Sequence, residues 1–289
     1  MRAAQPRPGA GAGRAGGSAW PGPSLCAMSL PLEGRVALVT GVSRRRGIGY
    51  AVAARLAQMG ASLFVHHWSP HDADQPWGAD PVEDVLAGLR DQLRGGARLG
   101  DAALDLADQG APQRLVEQAG DELGHLDVLV CNQAQSGDDG PLDEVEPTQL
   151  ERHWRVDALA TILLTQAFAA QHDGRDGGRV LWMTSGQGQG PMSHQLGYAA
   201  AKAMLAGLTL SVADDLAGRA ILLNTVNPGP VNTGYLDEVA EDPEVLARFP
   251  AGRVGQPDDP ARLIGWLVSD EGRWMVGQVL HTEGGFRRW

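Results

Sequence analysis

Arg35-Val36-Ala37-Leu38-Val39-Thr40-Gly41-Val42-Ser43-Arg44-Arg45-Arg46-Gly47-Ile48-Gly49 is the stretch whose reading decides the fold. Its apolar run predicts a short buried strand that ends at Gly41. A helical pattern follows the last glycine, with Ala51, Ala54, Leu56 and Met59 on one side and Gly60 as the stop. Strand, glycine-rich turn and helix make the first half of a dinucleotide-binding unit. Glycines let backbone approach a pyrophosphate, and the helix amino terminus presents free N–H groups and a positive dipole end. Gly41, Ser43, Arg44, Gly47, Ile48 and Gly49 are therefore read as cofactor contacts.

The unit recurs along the chain. Ser62 to His67 reads as a second strand, with a helix at about Val82 to Leu93. A third strand near Ala102 to Leu104 ends in Asp105 and Leu106, before a helix at about Pro112 to Glu122. A fourth, Leu126 to Cys131, runs into Asn132-Gln133-Ala134. A long helix at about Pro147 to Gln171 places Val156, Leu159, Ile162, Leu163 and Ala167 at helical spacing, which reads as its core face. Strands at Val180 to Met183, Ala220 to Val226 and Gly277 to Thr282 complete the pattern. Strand and helix in alternation predict an α/β fold, a Rossmann-type doubly wound parallel sheet in one domain over residues 33–289.

Composition sets limits on function. The 289 residues carry a formal net charge of −11, which opposes nucleic acid as a partner because phosphate binding needs a basic face. No uninterrupted apolar run approaches the ~18 residues of a membrane span, so no membrane partner is expected. Cys26 and Cys131 lie in a tail and in a core strand, which suits a reducing, cytoplasmic setting without a disulfide framework. Residues 1–32 are rich in Gly, Ala, Pro and Arg and read as a disordered extension, with Met28 as an alternative natural start. His66 and His67 are adjacent on a strand and face opposite sides, so no metal site is expected.

The chemistry is expected on a later helix. In Tyr198-Ala199-Ala200-Ala201-Lys202, a phenol and an ammonium four residues apart project from one face. Ser185 lies thirteen residues upstream of Tyr198, at the carboxyl end of a strand, where open α/β sheets bind ligands. Asn227-Pro228-Gly229-Pro230-Val231-Asn232-Thr233 closes the next strand at the same edge. Residues 234–250 are acidic and read as a small lid over the substrate, and residues 68–80 read as a flap or a surface excursion.

Together these stretches resemble the short-chain dehydrogenase/reductase family over about residues 33–286. The resemblance implies that Tyr198 is the acid/base, that Lys202 supports its phenolate and holds the nicotinamide ribose, and that Ser185 orients the substrate oxygen. It also implies adenine contact at Asp105, with Leu106 beside it, a sheet-holding role for Asn132, and cofactor contacts at Pro228, Gly229, Val231 and Thr233. The second strand ends without a carboxylate for the adenosine ribose, and three arginines lie in the adjacent turn, which favours NADP over NAD. A small-molecule carbonyl or alcohol as substrate and a homo-oligomer, tetramer or dimer, are further implications.

Three departures from the family pattern stand out. The glycine turn is two residues longer than usual, the N-N-A-G stretch keeps only Asn132, and Asp157 replaces the usual Asn beside the catalytic Lys. A charge there is expected to raise the Tyr198 pKa, unless Asp157 is paired elsewhere. Overall the motifs resemble 3-oxoacyl-thioester reductases, although the acidic lid opposes an acidic carrier protein and only Arg152, Arg155, Arg175 and Arg179 offer a basic patch. Divergent enoyl reductases place their Tyr seven residues before the Lys, where this chain has Gln195. A cofactor-sensing binding protein without catalysis is the alternative from another class.

Overall fold

Seven strands form a sheet whose central members are buried on both faces because helices cover both sides. In the computed structural model, which describes residues 29–288, these are β1 (Val36–Val39), β2 (Ser62–His67), β3 (Leu99–Ala103), β4 (Val128–Cys131), β5 (Gly178–Met183), β6 (Ile221–Asn227) and β7 (Val279–His281). They pair in the order β3-β2-β1-β4-β5-β6-β7, every pairing parallel. Each strand alternates its side chains between two apolar layers. Ala37, Val39 and Val130 face a layer built with α1 (Ile48–Gln58), α3 (Val82–Arg90) and α9 (Asp258–Val268). Leu38, Leu129 and Trp182 face the other, built with α4 (Ala111–Leu123), α6 (Ala160–Gln171) and α7 (Leu196–Ala217). The chain reverses its direction of winding between β1 and β4, the topological switch point where such sheets bind ligands.

Several expectations change here. The segment 1–28 lies outside the described residues. Leu32, placed by sequence at the end of the extension, is fully buried, and its N–H donates to Met59 O at 2.8 Å, so the packed domain includes residues before 33. The loop after β2 folds into a short helix, α2 (Ser69–Ala73). The long helix is continuous but changes its winding: α5 (Pro147–His153) passes through a π segment (Trp154–Leu159) into α6.

Its buried face is Asp157, Ala160, Thr161, Leu164, Thr165 and Phe168, whereas Val156, Leu159, Ile162, Leu163 and Ala167 are only half-buried. Apolar residues surround α6, so periodicity alone leaves its orientation open, and threonines that bond back to the helix backbone take core seats. α7, at 22 residues with mean hydropathy 1.4, has the length and composition of a membrane span, although Lys202 interrupts its apolar run. It packs against β6 and the π segment as a core helix of this domain.

Candidate active site

The carboxyl ends of β1 and β4 are tied by Thr40 and Asn132. Asn132 Nδ2 donates to the carbonyls of Thr40 and Gly41, both at 3.1 Å, and its backbone N–H donates to Thr40 Oγ1 at 2.9 Å. This clamp holds the glycine turn against the sheet. A Cβ on Gly41 would lie 2.9 Å from Asn132 Nδ2, and one on Gly49 would lie 2.4 Å from Gly41 O. Gly41 also has φ +71°, a conformation that side chains rarely adopt. His66 supports the turn from β2: its Nδ1 accepts the Gly41 N–H at 3.3 Å while Nε2–H donates to Leu104 O at 2.8 Å. Burial, reinforced by His67 and only partly opposed by the Leu104 hydrogen bond, lowers the His66 pKa to about 4, so the ring is neutral.

A cavity of about 970 Å³ extends from this turn to the first turns of α7. Gly41, Ser43, Arg44, Gly47, Ile48, Asp105, Leu106, Asn132, Pro228, Gly229, Val231 and Thr233 line it together with Ser185, Tyr198 and Lys202. Of the residues singled out by sequence, Gly49 and Asp157 do not line it. Gly49 instead lets the turn and α1 pack closely. The backbone cradle that a side chain would fill, opening onto an elongated cavity, fits a dinucleotide.

At the other end, β5 delivers Ser185 and α7 delivers Tyr198 and Lys202. Thr184 Oγ1 donates to Lys202 O at 2.8 Å, fixing the helix to the strand end. Lys202 is buried, with Nζ 5.5 Å from the centre of the Tyr198 ring. Burial pushes the Tyr198 phenol up to about 12, the Asp157 charge adds to this, and the hydrogen bond with Ser185 opposes it. Burial lowers the Lys202 pKa, against the pull of Asp157 and Cys131.

Arg44, one of the three arginines of the turn, is already engaged by the protein. Its Nε lies 2.9 Å from Asp72 Oδ1, Nη1 donates to Thr233 O at 2.7 Å, and the guanidinium stacks 5.2 Å over the centre of Trp77. The segment after β2 is therefore a flap joined across the cavity mouth to the loop after β6. Arg46 pairs with Asp237 of the expected lid at 2.7 Å, while the Arg45 N–H donates to Asp80 at 2.7 Å. The lid contains one short helix, α8 (Pro243–Leu246), and is pinned by the buried Phe249, stacked 4.7 Å from Phe286. The four arginines proposed as a basic patch do not form one. Arg179 is buried at the start of β5, Arg175 pairs with Asp173 and Arg155 with Glu151, and only Arg152 reaches the cavity.

Sequence reading missed His153, Asp139 and the tail residues Phe286 and Arg288, all of which line the cavity. Asp157 is fully buried: Oδ1 accepts the Gln135 N–H at 2.6 Å and Oδ2 lies 3.2 Å from His153 Nδ1. The i, i+4 spacing of His153 and Asp157 was the available signal. Asp139 left none, since it meets α7 across a span of 58 residues. Arg288 is held by Glu283, at 2.8 Å in one of two contacts, beside the loop that follows Ser185.

Comparison with known proteins adds to this geometry. A family model described as enoyl-(acyl carrier protein) reductase matches residues 41–287. An uncharacterized oxidoreductase of Bacillus subtilis is 35% identical over 257 residues, covering 88% of this chain and 97% of that protein. The 3-oxoacyl-[acyl-carrier-protein] reductase of Escherichia coli is 31% identical over 262 residues, covering 88% and 97%. A short-chain dehydrogenase from Burkholderia cenocepacia, solved in complex with NADP, superposes with a TM-score of 0.76 at 31% identity, covering 88% of this chain and 98% of that one.

Proposed function

Because the chain belongs to the short-chain dehydrogenase/reductase family and is an oxidoreductase of that family, we propose that it interconverts a small-molecule carbonyl and a secondary alcohol with NADP(H), using Tyr198 as acid/base. The observation that carries this reading is the convergence of Ser185, Tyr198 and Lys202 at one end of a cavity whose other end is the glycine cradle. NADP is supported by the lack of a carboxylate at the end of β2, where His66, His67 and Trp68 stand, and by the NADP-bound neighbour.

Bound NADPH supplies the hydride in this reading. Ser185 donates a hydrogen bond to the substrate oxygen and holds it beside the phenol. Tyr198, with its phenol pushed up to about 12, holds its proton at neutral pH and delivers it to that oxygen. Lys202 then stabilises the phenolate left behind, as a cation buried within reach of the ring. A high phenol pKa suits a proton donor, the role Tyr198 takes when a carbonyl is reduced.

Met192, Tyr235 and Phe286 give the substrate end an apolar wall. Homo-oligomerisation belongs to the same reading and is supported by apolar side chains left in solvent, Leu210 at 68% and Trp274 at 93% exposure. The test is NADPH consumption across ketones, β-ketoesters and sugars, with Tyr198→Phe as control. Turnover unaffected by that substitution refutes the assignment of Tyr198.

A further inference from the structure

His153 is enclosed between two aspartates. Its ring is 1% exposed and meets acceptors on both sides. Nδ1 lies 3.2 Å from Asp157 Oδ2, while Nε2 lies 3.2 Å from Gly137 O and 3.5 Å from Asp139 Oδ2. A neutral imidazole has one N–H and one lone pair, so one nitrogen would face an acceptor with nothing to donate. With both carboxyl groups ionised, the imidazolium is the form that satisfies both sides.

Asp139 in turn caps the catalytic helix. Its Oδ1 accepts the Gly197 N–H at 2.9 Å and its Oδ2 the Tyr198 N–H at 2.8 Å, at the positive end of α7, where Gln195 makes no side-chain cap. The ring is packed so closely to this turn that a Cβ on Gly197 would lie 2.8 Å from His153 Cδ2. The Tyr198 ring stands edge-on, 6.2 Å between centroids. Asp157, His153, Asp139 and the first turn of α7 thus form one chain of contacts ending at Tyr198.

We propose, on the reading given above, that His153 is a positioning residue of the reductase site: as an imidazolium between Asp157 and Asp139 it neutralises the aspartate that stands beside Lys202 and holds the first turn of the Tyr198 helix in place. The other titratable and charged groups facing this cluster fit the assignment. His71, from α2, accepts the Ser136 N–H through Nε2 at 3.4 Å, and burial lowers its pKa, so it is neutral and brings no competing charge. Arg152 acts on His71 and also lines the cavity, and Lys202 feels Asp157 from α7. Burial opposes the His153 charge, but the hydrogen bond and charge of Asp157, with Asp139 and Gly137, outweigh it and raise its pKa. Loss of that proton leaves two carboxylates facing each other near the phenol. The loop at 137–139 and the first turn of α7 then loosen, and turnover falls on the alkaline side.

The test reads the imidazole directly. Long-range proton–nitrogen NMR of uniformly ¹⁵N-labelled protein, assigned by the signal lost in His153→Gln, is expected to show both ring nitrogens protonated at neutral pH. In Asp157→Asn the proton is expected to leave about one pH unit lower, a tenfold change in acidity. Melting temperatures close the cycle: His153→Gln lowers the melt, and the charge-neutral double variant His153→Gln/Asp157→Asn recovers part of the loss. A neutral His153 at neutral pH overturns the proposal, as does a double variant no more stable than His153→Gln. The kcat pH profile with ethyl 3-oxobutanoate as probe is expected to lose its alkaline limb at lower pH in Asp157→Asn, with KM for NADPH unchanged, and an unmoved limb also overturns it. If that ester is not reduced at all, the reductase reading loses support while the NMR and melting outcomes still decide for or against His153.

Discussion

Two buried histidines mark the two ends of the cavity, and their environments give them opposite charge. His66, at the dinucleotide end, has one nitrogen against a donor and one against an acceptor, and is neutral. His153, at the catalytic end, has acceptors on both sides and is favoured as a cation. Burial is nearly complete for both and favours the neutral ring in each; it prevails at His66, whereas at His153 the carboxylates on either side outweigh it. The glycine turn is thus backed by a neutral ring, whereas the catalytic end is backed by a set of balanced charges.

The largest expected effect separates the ends by function. Tyr198→Phe should lower turnover by on the order of 10²–10⁴-fold, the usual worth of a general acid, while calorimetry shows NADPH binding at the far end retained. Next comes acid stability. The folded His66 pKa of about 4 is below its unfolded value of 6.5, so its neutral form contributes stability above 6.5 that is lost as pH falls toward 4. That loss is on the order of 3 kcal/mol, and urea unfolding of His66→Gln should show a flattened acid limb.

His153 has the opposite sign. Its raised pKa gives stability that is present below the unfolded value and fades as pH rises through the folded one, so His153→Gln should flatten only the alkaline limb. Similar flattening of both limbs by either variant breaks the comparison. A smaller effect comes from Gly49→Ala, whose Cβ would press on Gly41 O. It should cost about 1–3 kcal/mol in chemical denaturation and weaken NADPH binding in a fluorescence titration. The smallest is Arg46→Gln: its pairing with Asp237 lies in solvent, and the melting temperature should not move beyond experimental scatter.

The dinucleotide end was legible in the sequence because its devices are local. A strand, glycines at fixed offsets and a helix lie within two dozen residues, and each glycine reports a close approach that the structure shows. Ser185, Tyr198 and Lys202 were legible for the same reason, since strand end and helix spacing bring them together. The charge balance of the catalytic end was not legible. Asp157 could be flagged as a charge where an amide is usual, but its neutralising partner depends on how α5 turns, and Asp139 reaches α7 from a loop distant in sequence. The orientation of α6 was misread because a helix apolar all round has no periodicity to read. The course of residues 69–77 followed from Arg44 meeting Asp72 and Thr233, contacts that no local pattern encodes.

The wide turn at Trp154–Leu159 carries a consequence for insertions and deletions. A π turn is an α-helix holding one residue too many, and the widened ring frees a carbonyl from its usual partner. Here Val156 O accepts from Gln133 Nε2 at 3.2 Å, so a side chain from the end of β4 occupies the gap. Shortening this helix by one residue would close the ring, evict Gln133 and turn everything before the deletion by about 100° about the helix axis. His153 would then be displaced from its seat between Asp157 and Asp139. In this part of the chain the residue count is constrained as tightly as residue identity, and a library that varies length here should lose the site even where every named side chain is kept.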